Sequence, residues 1–210
     1  MEATERCVIC HLDINRSMID EGEPLLGLFA DPRNASVGVI GLSIVKQVGR
    51  VNHFELIARF VSEEAYLDHL ESDSQRAFRT AIADLLGSPY EGRLHEPVGK
   101  QTWPSAEAGE FVAINQFYVD PSQIGSAIDG VQELADLSRA APGFRGTVLL
   151  QRVGSPTNVE MLTTWESEAV LQDFDASNAT ASARDAVTPA LIAPISDRHY
   201  ELYSGRWSAP

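Results

Sequence analysis

The segment at residues 143–168 (GFRGTVLLQRVGSPTNVEMLTTWESE) follows the pattern of residues 38–63 (GVIGLSIVKQVGRVNHFELIARFVSE) without a gap. Gly38 aligns with Gly143, an offset of 143 minus 38, or 105, residues. Further identical pairs at this offset are Gly41 with Gly146, Val48 with Val153, Gly49 with Gly154, Glu55 with Glu160 and Ser62 with Ser167. A slip of one residue would turn every strand side chain to the opposite face, so a register kept over this length indicates a duplicated module.

The repeat continues into the helical stretch that follows each of these segments. Identical residues recur at the same offset as far as Pro89 and Pro194. Between the copies, residues 99–109 (GKQTWPSAEAG) have the Gly, Pro and Ala content of a connection and no sustained period. We therefore predict two modules of ordinary domain size, residues 1–100 and 108–210.

Both copies predict the same order of elements. In the second copy, residues 110–119 (EFVAINQFYV) alternate as a strand does, and Asp120 and Pro121 suit the start of the following helix. A β-hairpin, a long helical stretch and a final strand complete the copy. Ser72 and Ser177 are capping residues in the middle of the long helical stretches and predict a break in each. The order β, α, β, β, α, β is the ferredoxin-like arrangement, so the predicted fold class is α+β.

A ferredoxin-like module covers only one face of its four-stranded antiparallel sheet with helices. The other face needs a partner, because an apolar sheet face must be buried. Two modules in one chain can supply that partner for each other, so we expect them to form one intramolecular α+β barrel with the helices outside. A monomer would then be sufficient, and a homodimer through other surfaces is the alternative.

Charge and the terminal sequence narrow the classes of function. Lys and Arg number 16 against 30 Asp and Glu, a net charge of -14, which disfavours nucleic acid and anionic membrane surfaces as partners. The first residues lack the pattern of a signal peptide, and no run approaches the roughly 20 apolar residues of a membrane span. We therefore expect a soluble, cytoplasmic protein. Cys7 and Cys10 should point to opposite faces of a strand, which argues against a shared metal ion or disulfide.

Three segments resemble the antibiotic biosynthesis monooxygenase family in a tandem arrangement. They are residues 53–73 (HFELIARFVSEEAYLDHLESD), 159–178 (VEMLTTWESEAVLQDFDASN) and 88–98 (SPYEGRLHEPV). The resemblance covers nearly the whole chain and implies the dimeric α+β barrel fold. It implies a range of activities, because members oxygenate aromatic polyketides, oxygenate quinols or degrade haem, and some have no established activity.

For oxygenase members, the resemblance implies a pocket between the sheet and the broken second helix, with Asn on the first strand and Trp at the end of the third. Asn115 and Trp165 stand at these places in the second copy. An amide and an indole N–H suit a flat phenol and the oxyanion that forms on it, so we predict both as catalytic groups. A buried Asn satisfied by backbone and a plain core Trp are the alternatives.

The first copy departs from this pattern. Cys10 and Phe60 stand at the two places, so its pocket is expected to lack polar groups. His69 lies just before the helix break, where haem-degrading relatives carry an axial histidine, and the second copy has Phe174 there. Neither copy combines all three groups, which argues against haem degradation. His69 is a further candidate catalytic base, or else a solvated helix residue.

Other candidate residues concern substrate binding. Arg184 and its counterpart Arg79 can orient an anionic phenolate or pair with acidic neighbours. Phe60, Phe117 and Phe174 are predicted to line the substrate site. No His and carboxylate ligands are spaced along one helix, and no phosphate-binding glycine loop occurs, so we predict neither a metal site nor a nucleotide site.

Together these features predict an oxygenase that uses O2 on a polycyclic phenol, anthrone or hydroquinone, in polyketide antibiotic metabolism and without a tightly bound cofactor. Reduced flavin as a diffusible co-substrate fits the same residues. One alternative is a non-catalytic module that binds hydrophobic small molecules, which the apolar first pocket would favour. Another is a polyketide cyclase or isomerase, which would use the same pocket without oxygen.

Overall fold

A computed structural model describes residues 4–31, 35–104 and 110–207. The chain divides into two compact units. The first contains the chain up to His95 and again from Glu201 onward, and the second is Glu96–Tyr200. Both divisions fall inside the last strand of a module, so the units differ from the sequence modules 1–100 and 108–210.

The first module starts with a strand and ends with a long one. Its elements are β1 (Arg6–Asp13), a short 3-10 segment (Arg16–Met18), α1 (Ile19–Phe29), β2 (Val39–Gln47), β3 (His53–Phe60), α2 (Glu63–Glu71), α3 (Asp73–Ala83) and β4 (Glu91–Thr102).

The second module has the same order. Its elements are β5 (Phe111–Tyr118), a 3-10 segment (Pro121–Gln123), α4 (Ile124–Ala140), β6 (Phe144–Arg152), β7 (Asn158–Trp165), α5 (Glu168–Asp175), α6 (Asn178–Val187), a 3-10 segment (Thr188–Ala190) and β8 (Ser196–Arg206). In the described ranges, every helix is too short or too polar to span a bilayer.

The strand order is equivalent in the two units. It is β4-β1-β3-β2-β8 in the first and β8-β5-β7-β6-β4 in the second. The central strand β3 pairs antiparallel with β1 and β2, as β7 does with β5 and β6. The chain is thus an α+β protein of two tandem ferredoxin-like modules, which confirms the fold class predicted from the repeat.

Two glycines at equivalent positions of the modules share the same unusual backbone conformation. Gly38 and Gly143 have φ values of +87° and +69°, in the left-handed region that glycine favours. A Cβ at these positions would lie 2.6 Å from Cβ of Ala65 and 2.7 Å from Cγ1 of Val170, respectively. Each hairpin can therefore approach the helix that follows it only because these two residues lack a side chain.

The predicted helix breaks are confirmed in both modules. Ser72 Oγ accepts a hydrogen bond from the N–H of Gln75 at 3.3 Å, and Ser177 Oγ accepts one from Thr180 at 3.1 Å. Each serine therefore caps a new helix after a break. Ser72 also donates its hydroxyl to the carbonyl of His69 at 2.7 Å, so the break fixes the C-terminal end of α2.

Strand β3 is buried along its whole length, with alternate residues on opposite faces of the sheet. Phe54, Leu56, Ala58 and Phe60 join one hydrophobic cluster with residues of α1 and α3. That cluster lies between the sheet and the helices of the first unit, and the cavities described next adjoin it.

Candidate active site

Two adjoining cavities lie beside the core of the first unit. The sheet-side cavity has a volume of about 200 Å³ and is lined chiefly by β1, β3 and the helices α2 and α3. The helix-side cavity, about 300 Å³, is lined by α1 and α3. Phe29, His69 and Gln75 line both cavities.

His69 occupies this shared wall and is only 5% exposed, so the alternative of a solvated helix residue is wrong. Its Nδ1 lies 3.1 Å from Ser36 Oγ, whereas Nε2 is buried and has no hydrogen-bond partner among the described residues. Burial lowers the pKa of His69 below its ordinary value of 6.5. When Nδ1–H donates to Ser36, Nε2 keeps a lone pair beside the cavities, which is the state that a general base needs.

Aromatic rings surround this imidazole. The ring of Phe60 lies 5.3 Å from that of His69, and Phe29 meets it edge-on at 6.5 Å. Tyr66 packs against Phe60 at 5.5 Å and also lines the sheet-side cavity. Phe60, predicted to contact substrate, thus lies in a wall whose flat apolar surfaces suit an aromatic ligand.

A polar edge faces these rings in the sheet-side cavity. The side-chain amide of Gln75, itself buried, donates to the Tyr90 hydroxyl at 3.1 Å. Burial, reinforced by the neighbouring Cys10, raises the pKa of Tyr90 above its ordinary value of 10.0. Burial likewise raises the pKa of Cys10 to about 12. Both groups stay protonated at neutral pH, so Tyr90 can donate a hydrogen bond to a ligand.

Arg79 is exposed and lines the sheet-side cavity, which places it at the opening. In the part of the chain that the structure describes, its guanidinium forms no ion pair. Burial raises the pKa of Tyr66 above its ordinary value of 10.0, and the charge of Arg79 reduces that rise. An anionic ligand entering here would meet a cation.

The predicted catalytic groups of the second unit have their donors engaged within the protein. Asn115 is 3% exposed, and its amide donates to Oδ1 of Asp197 at 2.7 Å. Trp165 is fully buried, and its Nε1 donates to Thr163 Oγ1 at 2.9 Å. Phe174 packs on the Trp165 ring at 4.7 Å. The alternative of a core Trp agrees with these contacts, whereas Asn115 is satisfied by the side chain of Asp197 and not by backbone, and the proposed catalytic roles stay predictions.

Arg184 makes ion pairs, which was the alternative given for it. Its Nη2 lies 2.8 Å from Oδ1 of Asp175 and 2.9 Å from Oδ2 of Asp197. His199 Nε2 lies 3.2 Å from the first carboxylate and 3.5 Å from the second. Contact with Asp175 and then with Asp197 raises the pKa of His199 to about 9.

The second unit also has a cavity, of about 300 Å³, between α4 and the pair α5 and α6. Phe174 lines it, whereas Asn115 and Trp165 do not. Phe117 is 1% exposed and belongs to the core cluster with residues of α4. The predicted residues of the second unit are therefore not gathered around one cavity.

Substitutions between the copies account for this difference. Two positions that line the sheet-side cavity, Leu70 and Gly92, correspond at the 105-residue offset to Asp175 and Asp197. These carboxylates hold Arg184, whereas its counterpart Arg79 has no such partner. The positions that line a cavity in the first unit are therefore taken by ion-paired residues in the second unit.

The expectation that the first pocket lacks polar groups is wrong. That expectation considered only β1 and β3, where Cys10 and Phe60 stand at the positions of Asn115 and Trp165. The polar groups of the cavity come instead from α2, from α3 and from the segment before β4. The burial of Gln75 could have been predicted from the sequence, because Phe78 and Ile82, three and seven residues later, lie on the same face of the helix and are buried. The burial of Tyr90 could not, because it lies in the irregular segment before β4.

Two clusters have the composition of metal ligands: His11, His53 and Glu55 in the first unit, and Asp175, Asp197 and His199 in the second. In each cluster the candidate ligand atoms lie within 4.8 Å of one another. Sequence reasoning missed both, because the members of each cluster come from two different elements.

Residues 110–187 match the model of a family described as Antibiotic biosynthesis monooxygenase. The match falls within the second unit. No curated protein sequence matches the chain.

Solved structures resemble the chain over nearly its full length. A proposed monooxygenase from Fusobacterium nucleatum has a TM-score of 0.86 and 8% identity, over 98% of this chain and 95% of that one. A proposed monooxygenase from Lactobacillus acidophilus has a TM-score of 0.78 and 10% identity, over 97% and 96%. An anthrone oxidase-like protein has a TM-score of 0.75 and 14% identity, over 100% and 95%. At these identities the likeness shows a shared fold.

Proposed function

We propose that this chain is an oxygenase acting on a small phenolic aromatic compound, an anthrone or a hydroquinone, because residues 110–187 match the model of an antibiotic biosynthesis monooxygenase domain. We infer that the substrate binds in the first unit, whose module is the duplicate of that domain. The observation that supports this choice is His69, a buried imidazole with an unpartnered Nε2 in the wall of two cavities.

The role assigned to His69 is that of general base. A lowered pKa keeps it neutral at pH 7, and a phenol or an anthrone needs only to lose one proton to become electron-rich. The apolar rings around it exclude water, which strengthens the interaction between the imidazolium and the substrate anion. The protein thus supplies deprotonation and a dry site, while the substrate supplies the electrons.

For an anthrone the reaction balances without another reductant. His69 takes a proton from the substrate, and the anion passes one electron to O2. The substrate radical and superoxide combine to a peroxide at the former CH2 carbon, and the imidazolium returns a proton to the peroxide. Loss of water then leaves a carbonyl. In sum, the CH2 group and O2 give C=O and H2O, so one oxygen atom enters the product.

The remaining groups of the sheet-side cavity are assigned to orientation. Tyr90, held by Gln75, can donate to the oxyanion that forms on the substrate. Phe29 and Phe60 can stack against its rings, and Arg79 can attract its negative charge at the opening. A bound organic cofactor is not required by this chemistry, and reduced flavin as a diffusible co-substrate is the variant to be tested.

Oxygen uptake with a panel of hydroxylated anthrones and naphthohydroquinones tests the proposal, with and without added reduced flavin. We expect uptake without flavin and, for an anthrone in ¹⁸O2, one labelled atom in the product carbonyl. Uptake only with reduced flavin would replace the cofactor-free route. Ligand binding without oxygen use would favour the non-catalytic module, and product formation without oxygen would favour the cyclase or isomerase.

A further inference from the structure

A cluster of two carboxylates and one imidazole lies in the second unit. Asp197 and His199 are two residues apart on β8, so their side chains leave the same face of that strand. Asp175 is the last residue of α5 and meets them there. All three side chains are partly accessible, with relative exposures of 19% for Asp175 and 28% for each of the others. An ion could therefore reach them from solvent.

The distances within the cluster fit a shared cation. His199 Nε2 lies 3.2 Å from Oδ2 of Asp175 and 3.5 Å from Oδ1 of Asp197. This nitrogen is shielded from solvent and forms ion pairs with both carboxylates, so a bound ion would take the place of the proton that they share. Zinc bonds of about 2.0–2.2 Å in a tetrahedron put neighbouring ligand atoms about 3.3–3.6 Å apart. The two distances from His199 Nε2 match this spacing, and all three candidate ligand atoms lie within 4.8 Å of one another.

The side chains of Arg184 and Asn115 contact the two carboxylates of the cluster. Arg184 Nη2 contacts Oδ1 of Asp175 and Oδ2 of Asp197, which are the oxygens turned away from His199. Asn115 donates to the near oxygen of Asp197, which keeps a second lone pair. Hydrogen-bonded carboxylates of this kind are typical of the shell that orients metal ligands.

We propose that Asp175, Asp197 and His199 form a binding site for a divalent transition-metal ion of the zinc type. Two carboxylate oxygens and one imidazole nitrogen are the ligand set, with at least one position left for water. Mixed nitrogen and oxygen donors favour Zn²⁺ or Co²⁺ over Mg²⁺ or Ca²⁺, which prefer oxygen alone. The proposal is independent of the reaction assigned to the first unit.

The other cluster of metal-ligand type is a weaker candidate. Arg93 donates to Nε2 of His11 at 2.8 Å, which requires the lone pair of that nitrogen. The Nδ1–H of His11 then donates to Glu55. The nitrogen of His11 that faces its cluster therefore carries a proton fixed by Arg93, whereas Nε2 of His199 pairs, among the described residues, only with the two carboxylates of its own cluster. A variant of His11 accordingly serves as the matched control.

The test is titration of the full-length, chelator-treated protein with ZnCl2 by calorimetry and with CoCl2 by visible absorption. We expect one equivalent of each ion to bind, with Co²⁺ bands typical of four or five ligands. His199→Ala and Asp197→Asn should each lower the affinity more than about 100-fold, beyond the 10- to 100-fold typical of outer-shell changes. His11→Gln should bind as the wild type does.

Circular dichroism in the presence of chelator establishes that each variant is folded, and His199→Gln provides a second, less disruptive change at the same position. Absence of binding by the folded wild type overturns the proposal and leaves an ion-pair cluster only. Equal affinities of the wild type and the His199 variants, or a loss confined to His11→Gln, would overturn it as well.

Discussion

His69→Phe is the most informative single substitution, because the duplicated module itself carries phenylalanine, Phe174, at the corresponding position. The change removes an unpartnered basic nitrogen from the wall of both cavities and keeps a ring of similar size beside Phe29 and Phe60. If His69 is the base, oxygen uptake should fall about 100- to 10,000-fold, or about 3 to 5 kcal/mol of transition-state stabilisation.

Stability should change far less than activity. The substitution loses the contact between Nδ1 and Ser36, worth about 1 kcal/mol, and relieves a buried nitrogen whose missing hydrogen bond costs about 1–3 kcal/mol. We therefore expect the free energy of unfolding to stay within about 2 kcal/mol of wild type in urea titration. A large loss of activity without unfolding would then report the chemistry and not the fold.

The assay is the initial rate of oxygen uptake with the best substrate of the panel, measured across pH. A base must be deprotonated, so the wild-type rate should be constant near neutral pH and should fall only as pH drops through the lowered pKa of His69, below 6.5. Asn115→Ala tests the rival prediction that the site lies in the second unit, and it should keep most of the activity if the substrate binds in the first unit. A fully active His69→Phe protein, or an Asn115→Ala protein as impaired as expected for His69→Phe, would refute the reasoning.

Three further outcomes are expected. Gly92→Asp, which copies Asp197 into the first module, should weaken aromatic ligand binding at least tenfold by fluorescence titration, whereas Gly92→Ala should not, since its Cβ would meet only Val8 at 3.2 Å. Gly143→Ala should destabilise the protein by at least about 1 kcal/mol more than Gly154→Ala, since both residues have positive φ but only Gly143 faces a neighbouring side chain within 3 Å. The Cys10 thiol, with a pKa of about 12, should resist iodoacetamide at pH 8 until the protein unfolds, as followed by mass spectrometry. Unchanged ligand binding by Gly92→Asp would contradict the first expectation. Equal losses of stability in Gly143→Ala and Gly154→Ala would contradict the second, and rapid alkylation of the native protein would contradict the third.

The fold was readable from sequence because the duplication supplied two versions of each signal. Glycines with positive φ, such as Gly38 and Gly143, and the capping residues Ser72 and Ser177 act through local backbone geometry, which residue type alone largely determines. Their equal spacing fixed both the order of elements and the register.

The site was harder to read because it depends on which side chains meet. The family resemblance implied a role for Asn115, but the availability of its amide depends on Asp197, 82 positions later on another strand. His69 lies in a strongly polar helix segment, EEAYLDHLE, whose composition does not indicate which of its residues are buried. Such facts follow from tertiary packing, which periodicity within one element does not record.

A crystal structure of the complex with a hydroxylated anthrone, prepared without oxygen, tests the central claim most directly. We predict that the ligand lies between the sheet and the helices of the first unit, with an acidic O–H or CH2 group within about 3.5 Å of His69 Nε2. A ligand seated instead beside Asn115 and Trp165 in the second unit would contradict the account.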